Sequence, residues 1–318
     1  MVEWWFEAGL SQGVNLDLGD QTMAKISIGS WAYTIGPYAE NPVQWEEVIK
    51  KVAELGFDGI ELGGFPPHPN PDNLPTKEDR DKCKKQVADL GLGWSGLAAD
   101  LWSQHLIDTE DNSAYLEAFR KNLQFCVDVG IPAIRVDTVQ PPTIFDQVDA
   151  DTARKRVVDT WKVCAAEAAD AGVRMAWEFE PGFAFNKPSD VLRILEEVDN
   201  DNFGVMFDTC HGYMVACTGA RQPGEPEMLE GGVVEFAQKL RGKINHLHLI
   251  DSDGTLHDEE TSTHAPFGEG KINFDELMPE LVKNNLEWWT VDLCFWPDAW
   301  AVTEKCKKAV DELNKKYG

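Results

Sequence analysis

The chain repeats one unit: an amphipathic helix, then a glycine or an asparagine, then a short apolar run. Seven such junctions follow one another, and a further apolar run, AKISIGSW, precedes them. Short apolar runs that alternate with helices are typical of buried parallel strands. The junctions read ELGFDGIEL, ADLGLGWSGL, VDVGIPAIRV, ADAGVRMAWE, DNDNFGVMFD, LRGKINHLHL and NNLEWWTVDL.

In the predicted helices, apolar residues recur every three or four positions, so one face of each helix can pack against a sheet. Asn41–Pro42 and Gly56 are start and stop signals for the first helix. Eight strands that alternate with helices predict an α/β fold of the (β/α)8 TIM-barrel type, with a closed parallel eight-stranded sheet. An open doubly wound sheet is the alternative, but no GxGxxG motif follows the first strand. We expect residues 23–318 to form one barrel domain and residues 1–22 to be an N-terminal arm or extension. One face of the first helix carries Trp45, Val48, Ile49, Val52 and Leu55.

The charge balance excludes some classes of partner. Fifty-five acidic against 29 basic residues give a net charge of −26, which repels nucleic acid and anionic membranes. No apolar run approaches the roughly 20 residues of a membrane span. The seven cysteines are scattered without a CxxC pair, as expected for reduced thiols. We therefore expect a cytoplasmic protein that binds neither nucleic acid nor membranes.

Four residues in the second half of the chain each lie at the end of an apolar run. The C-terminal strand ends of a closed parallel barrel converge on one face, where three long insertions also fall. Three carboxylates and an imidazole are ligands that divalent cations prefer. We expect one divalent metal ion, with Mn²⁺ as the first choice and Mg²⁺, Co²⁺ or Zn²⁺ as alternatives. The four residues are Glu178, Asp208, His248 and Asp292.

These motifs resemble the xylose-isomerase-like TIM-barrel superfamily, the sugar isomerases and epimerases related to endonuclease IV. The resemblance runs from Met23 onward and is carried by WEFEPG, DTCH, HLH, TVDL and the loop PFGEGKINF. It implies that the four strand-end residues are the metal ligands and that His211 contacts the substrate. A homo-oligomer is expected, and a small partner subunit is an alternative because some relatives work with one.

Two departures from the family pattern bear on the chemistry. The last ligand is usually glutamate and here is Asp292, and LIDSDG replaces the segment in which epimerases carry an arginine. In those epimerases, paired metal-binding glutamates exchange protons with opposite faces of the substrate. A shorter side chain loses reach to a substrate carbon. This favours a role for histidine, and His264 in the THAPFGEG loop is the main candidate, although an ordinary loop histidine is equally consistent.

Other side chains have weaker claims. Glu180 shares a strand face with Glu178 and is either the ligand itself or a substrate-binding acid. Arg135, beside Asp137, is either a substrate-binding residue or half of an ion pair. We predict that His246 is a core histidine and that His257 is exposed. Aromatic candidates for packing against a sugar are Trp31 and Trp296, and weaker histidine candidates are His68 and His105.

The expected activity is a metal-dependent sugar or keto-sugar isomerase or epimerase that removes a proton next to a carbonyl. The expected catalytic residues are Glu178, His211, His264 and Asp292. The alternative is a lyase or dehydratase on a 3-keto sugar or 3-keto glycoside, like inosose dehydratases or the catalytic subunits that cleave C-glycosides. A non-catalytic sugar-binding protein is a third reading. The charge of −26 and the count of seven histidines disfavour an endonuclease.

Overall fold

Eight parallel strands form one sheet that curves into a barrel. A computed structural model describes residues 23–258 and 260–318. The strands are β1 Lys25–Ile28, β2 Gly59–Gly64, β3 Gly93–Ala99, β4 Ala133–Val136, β5 Arg174–Glu178, β6 Phe203–Asp208, β7 Ile244–Leu249, β8 Asp251–His257, β9 Thr261–Ala265 and β10 Trp288–Val291. The sheet order is β1-β10-β7-β6-β5-β4-β3-β2, and a bridge between Gly29 and Glu61 joins β1 to β2. The predicted (β/α)8 barrel is confirmed.

The helices bury one face each against the sheet. In α1 the apolar residues at intervals of three and four are buried, and the glutamates and lysines between them face solvent. This helix begins at Trp45, so the predicted cap at Asn41–Pro42 lies too early. The helices are α1 Trp45–Glu54, α2 Lys77–Asp89, α3 Ser113–Val129, α4 Ala150–Asp170, α5 Pro188–Val198, α6 Thr209–Tyr213, α7 Gly232–Lys239, α8 Phe274–Leu281 and α9 Ala299–Tyr317.

The long insertion after β7 is an antiparallel hairpin rather than the predicted loop. Strands β8 and β9 pair with each other and not with the barrel. Its base is held by Asp251, whose carboxylate accepts hydrogen bonds from the backbone N–H groups of Gly268, Gly270 and Ile272 at 3.0–3.1 Å. The hairpin therefore has a fixed place beside the C-terminal ends of the barrel strands.

The proposed arm over residues 1–22 lies outside the described residues. Among residues 23–258 and 260–318, no helix is long and apolar enough to cross a membrane. The core of the described part lies between the barrel and its helices, where large side chains such as Trp161, Trp177 and Phe236 are fully buried. This packing holds the strand ends in fixed positions.

Candidate active site

The four predicted ligand residues meet at the C-terminal end of the barrel. His248 Nδ1 lies 3.3 Å from Glu178 Oε1, 3.3 Å from Asp292 Oδ2 and 4.0 Å from Asp208 Oδ2. Glu178 and Asp208 are the last residues of β5 and β6, His248 is in β7, and Asp292 directly follows β10. All four side chains are buried. The donor atoms therefore come from four neighbouring strands.

This donor set fits a divalent metal ion. His248 Nδ1 and Asp208 Oδ2 are buried without a hydrogen-bond partner among the described residues. Three carboxylates this close together repel one another unless a positive charge lies between them. Carboxylate oxygens with one imidazole nitrogen match several divalent ions and do not select one of them.

In each of the three carboxylates, one oxygen faces the other predicted ligands and the second oxygen contacts other groups of the protein. Glu178 Oε2 lies 2.6 Å from Arg135 Nε. Asp208 Oδ1 accepts the His211 backbone N–H at 2.8 Å and so caps α6. Asp292 Oδ1 accepts the indole N–H of Trp31 at 3.0 Å and a backbone N–H at 2.8 Å. Each carboxylate thus has one anchored oxygen and one oxygen that faces the other ligands.

Arg135 acts electrostatically on Glu178. Burial raises the pKa of this carboxyl, but the Arg135 guanidinium and His248 outweigh it and lower the pKa of Glu178 to about 2. Arg135 Nη2 also lies 3.1 Å from Asp137 Oδ2. Arg135 is therefore part of an ion-pair network and also lines the cavity.

A second group of polar side chains lies beside the ligand cluster. His211 Nε2 is 3.3 Å from Glu180 Oε2, and its Nδ1 is 2.8 Å from Ser262 Oγ. Thr261 Oγ1 donates a hydrogen bond to Glu180 Oε2. The His211 and His264 rings meet edge to face with centroids 4.8 Å apart. The hairpin thus supplies Thr261, Ser262 and His264 to this group, and the first two of these hold Glu180 and His211 in place.

Burial moves the pKa values of two of these groups in opposite directions. Desolvation, followed by repulsion from Glu178, raises the pKa of Glu180 to about 7. Desolvation, followed by the neighbouring His264, lowers the pKa of His211 to about 3. Glu180 therefore carries a proton readily near neutral pH, while His211 stays neutral. Such a divergence is typical of groups that act as acid and base.

The cavity over these groups has two chemically different walls. It has a volume of about 410 Å³. The wall from β1, β2, β3 and the loops after them is apolar, whereas the acids and histidines come from β5, β6, β7, β10, the segments directly after them and the hairpin. The apolar wall consists of Trp31, Ile35, Phe65, Ala98 and Trp102.

Some predicted site residues are not brought to the cavity. Trp296 is half-buried against the core, and the preceding Phe295, with φ of 60°, lines the cavity in its place. His68 is buried and contacts the backbone carbonyl of Val43, and His105 is exposed beside Asp108. His246 is buried in the barrel, as expected for a core histidine.

One central residue was not identified from the sequence. Glu61, in β2, is fully buried inside the barrel, with Oε2 3.1 Å from His248 Nε2 and 2.5 Å from His246 Nε2. The available signal was an acid within the apolar run FDGIEL, but it lies in the middle of β2 and not at the strand end, where the identified residues lie.

Comparison with known proteins agrees with this fold. Residues 49–315 match the model of the xylose isomerase-like TIM barrel. Fructoselysine 3-epimerase from Escherichia coli O157:H7 is 25% identical over 261 residues, which cover 78% of this chain and 85% of that protein. Inosose dehydratase from Lactiplantibacillus plantarum is 21% identical over 268 residues, covering 77% and 79%. The solved structure of the IolI protein with a bound zinc atom has a TM-score of 0.69 at 16% identity and covers 92% of this chain and 99% of its own.

Two of these relatives, fructoselysine 3-epimerase and inosose dehydratase, are enzymes. The likeness to IolI concerns the fold alone, and its zinc atom is a property of that protein. The family model spans the chain from within α1 to within α9 and so includes all four predicted ligand residues. The chain belongs to the xylose isomerase-like TIM barrel family.

Proposed function

We propose that this protein is a divalent-metal-dependent enzyme that isomerises a keto sugar by moving a proton between the two carbons of an enediolate. The groups that would move protons are His264, His211 and Glu180. The residues that would hold the metal are Glu178, Asp208, His248 and Asp292. A small carbohydrate is the proposed substrate, in line with the epimerase and dehydratase relatives.

The observation that carries this proposal is that both oxygens of each of two proposed ligand carboxylates already have a contact. Glu178 and Asp292 each have one oxygen bound to the protein and one that faces His248 Nδ1 at 3.3 Å. Neither carboxylate has an oxygen left for a substrate carbon. The proton transfer therefore falls to other groups, and this argues against an epimerase in which the two ligand carboxylates act as opposing bases.

The available acid–base groups lie on one side of the cavity. Glu180 lies just after β5, His211 in α6 and His264 in the hairpin, whereas the apolar lining residues Trp31 and Phe65 follow β1 and β2. Among the described lining residues, β1, β2, β3 and the loops after them contribute no titratable side chain. Proton removal and return on the same face suits isomerisation between neighbouring carbons, whereas epimerisation needs access from both faces.

The steps can be written for these residues. His264 Nε2 removes the proton from the carbon next to the carbonyl, and the electrons of that C–H bond form the C–C double bond of the enediol. The Glu180–His211 pair protonates the carbonyl oxygen and recovers a proton from the neighbouring hydroxyl. His264 then returns its proton to the former carbonyl carbon. A divalent ion held by Glu178, Asp208, His248 and Asp292 would supply positive charge next to the carbonyl and enediolate oxygens.

A lyase is the second candidate, and the apolar wall favours it. A substrate with a leaving group on the carbon beyond the acidic C–H would place that group against Ile35, Phe65 or Trp102. The same base would remove the proton, and the Glu180–His211 pair would protonate the departing group. A 3-keto sugar or 3-keto glycoside has this chemistry.

Proton exchange tests the proposal directly. The Mn²⁺-loaded protein is incubated in D₂O with keto sugars, inososes and 3-keto glucosides, and NMR follows deuterium uptake. We expect deuterium at the carbon next to the carbonyl together with an aldose–ketose product. Asp208→Asn and chelator-treated protein serve as controls and should not exchange. A dehydrated or cleaved product would identify the lyase instead.

The fate of a label on the substrate checks the one-sided arrangement. A substrate deuterated at the acidic carbon is isomerised in H₂O, and we expect part of the deuterium on the neighbouring carbon, because one base removes and returns it. Inversion at a single carbon would contradict the isomerase reading. Absence of both exchange and metal dependence with every keto sugar would overturn the proposal.

A further inference from the structure

Glu61 occupies the interior of the barrel below the ligand cluster. It lies in β2 where a bridge to Gly29 connects β1 and β2, and its side chain is fully buried. The facing position on β3 is Gly96, and a Cβ atom there would come within 3.2 Å of the Glu61 carboxyl group. The neighbouring strand thus leaves room for this carboxylate.

The contacts of Glu61 fix the protonation pattern of a ligand histidine. A carboxylate only accepts hydrogen bonds, so the 3.1 Å contact requires His248 Nε2 to carry a proton and donate it. In the neutral imidazole the lone pair is then on Nδ1. That nitrogen is the one that faces Glu178 and Asp292 and has no hydrogen-bond partner among the described residues.

His246 completes the arrangement. Its Nε2 lies 2.5 Å from the same Glu61 oxygen and 3.3 Å from Thr290 Oγ1, which is 2.8 Å from Ser27 Oγ. Glu61 is therefore anchored by a second imidazole and cannot turn away from His248 without losing that contact. This chain of buried polar groups runs from β7 through β10 to β1.

The distances argue against a second metal ion between Glu61, His246 and His248. Ligands about 2.1 Å from a tetrahedral ion lie about 3.4 Å from each other. The 2.5 Å separation of Glu61 Oε2 and His246 Nε2 is instead that of a short hydrogen bond. A shared proton accounts for this contact, and the carboxylate remains free to act on His248.

We propose that Glu61 is a positioning residue for the metal centre, which holds His248 in the tautomer and ring orientation that present the Nδ1 lone pair to a divalent ion. This inference rests on the proposed function only in requiring that a metal binds. It predicts an effect on metal affinity that exists without any substrate. Carboxylate partners of ligand histidines are worth about 10- to 100-fold in metal affinity in other proteins.

Two substitutions at Glu61 weaken its contact with His248 to different extents. Glu61→Gln keeps an acceptor oxygen but removes the charge, and Glu61→Met keeps the length of the side chain but removes the acceptor. We expect the Kd for Mn²⁺, measured by competition with a chromophoric chelator, to rise about tenfold in the glutamine variant and about 100-fold in the methionine variant. Circular dichroism confirms that each metal-free variant is folded, and the glutamine variant keeps the test valid if the methionine variant is not.

A control and a spectroscopic measurement separate positioning from general stability. Thr290→Val removes a hydroxyl from the same buried network without touching Glu61 or His248, and its Kd should stay within about threefold of the wild-type value. Burial lowers the pKa of His248, but Glu61, Asp292 and Glu178 outweigh it and raise this pKa well above its ordinary value, so the tautomer is measured in the metal-free protein at a pH high enough to leave the ring neutral. Correlation of ¹⁵N-labelled histidine signals at that pH should report Nε2–H for His248 in the wild type and a loss of this preference in Glu61→Met.

The outcomes separate this inference from the proposed function. Weaker Mn²⁺ binding in both Glu61 variants, with the threonine control unchanged, supports the positioning role. Wild-type affinity in folded Glu61 variants overturns that role and leaves the proposed function standing. A wild-type protein that binds no divalent ion at all overturns both.

Discussion

The Nε2 atom of His264 lies 3.7 Å from Oδ2 of Asp208, and neither atom has a hydrogen-bond partner among the described residues. His264 Nδ1 is 3.0 Å from the carbonyl oxygen of Ser262, which can only accept, so this nitrogen carries the proton. Burial lowers the pKa of His264, but the carboxylates of Asp292 and Asp208 outweigh it and raise this pKa above its ordinary value. Once the ring is deprotonated, its lone pair is on Nε2, which faces the cavity beside the ligand cluster. Replacing His264 therefore tests whether this histidine transfers a proton or binds the metal.

Replacement of His264 should abolish turnover without removing the metal. In His264→Gln the lone pair that accepts the substrate proton is lost, and a general base contributes about 10²- to 10⁴-fold to the rate. We therefore expect kcat to fall at least about 100-fold, while Mn²⁺ content by elemental analysis stays at the wild-type level. His105→Gln, on the exposed surface, is the matched control. A loss of metal in parallel with activity would make His264 a ligand instead.

Substitutions at Glu178 and Glu180 should have different effects on metal content and turnover. Glu178 Oε1 faces His248, so Glu178→Gln alters a proposed metal ligand and should lower the metal content. Glu180 contacts His211 and Thr261 instead, so Glu180→Gln should keep the metal and lose turnover. Metal stoichiometry and kcat, measured on the same preparations, test this pair. The reverse pattern would show that Glu180 is the ligand.

Lengthening Asp292 to glutamate should weaken the metal site rather than restore an epimerase. Asp292 Oδ1 accepts hydrogen bonds from Trp31 and the Cys294 backbone, and an added methylene cannot keep both bonds and the position of Oδ2. Each hydrogen bond to a charged group is worth about 1.5–3 kcal/mol. We expect the Kd for Mn²⁺ to rise at least tenfold in Asp292→Glu, that is by about 1.4 kcal/mol or more.

A milder variant calibrates this effect. Trp31→Phe removes one of the two hydrogen bonds to Asp292 and leaves the carboxylate in place, so its Kd should lie between those of the wild type and Asp292→Glu. NMR of the products should show no inversion of configuration in either variant. If Asp292→Glu gained epimerase activity, the length of this side chain alone would prevent it from acting as a base. The hydrogen bonds to Oδ1 would then not be needed to explain the loss of that role.

The barrel was predictable because it follows from local patterns. The spacing of apolar residues identifies each helix and strand, and the parallel connection brings Glu178, Asp208, His248 and Asp292 to the same end of the barrel. No side-chain contact has to be known for this placement, whereas the role of these four residues as metal ligands stays a prediction. Strand periodicity does not distinguish Glu178 from Glu180, since both share a strand face, whereas the structure places Glu178 Oε1 3.3 Å from His248 Nδ1.

The rest depended on tertiary contacts that no local pattern encodes. Glu61 becomes significant only when the barrel closes and brings β2 across from β7. The hairpin was missed because its segment is rich in Asp, Ser, Thr and Gly, which favour turns, although Thr261 to Thr263 also suit a strand. Whether Phe295 or Trp296 faces the cavity depends on the left-handed backbone at Phe295.

His68 should make stability sensitive to mild acid. Its Nε2–H donates to the Val43 carbonyl at 3.0 Å, its Nδ1 is buried without a partner among the described residues, and its ring packs on Trp45. Burial lowers the pKa of His68 below its ordinary value of 6.5, so the folded protein keeps this ring neutral where the unfolded chain takes up a proton. The stability that depends on the neutral ring is therefore complete above pH 6.5 and declines as the pH falls below it.

The comparison with His68→Gln isolates this effect, because the other titrating groups are common to both proteins. Urea unfolding with chelator present, at intervals between about pH 7.5 and pH 5, gives both free energies of unfolding. We expect the wild type to lose stability relative to the variant on acidification, with a slope of at most about 1.4 kcal/mol per pH unit. A difference that stays constant with pH would show that His68 takes up a proton in the folded state as easily as in the unfolded one.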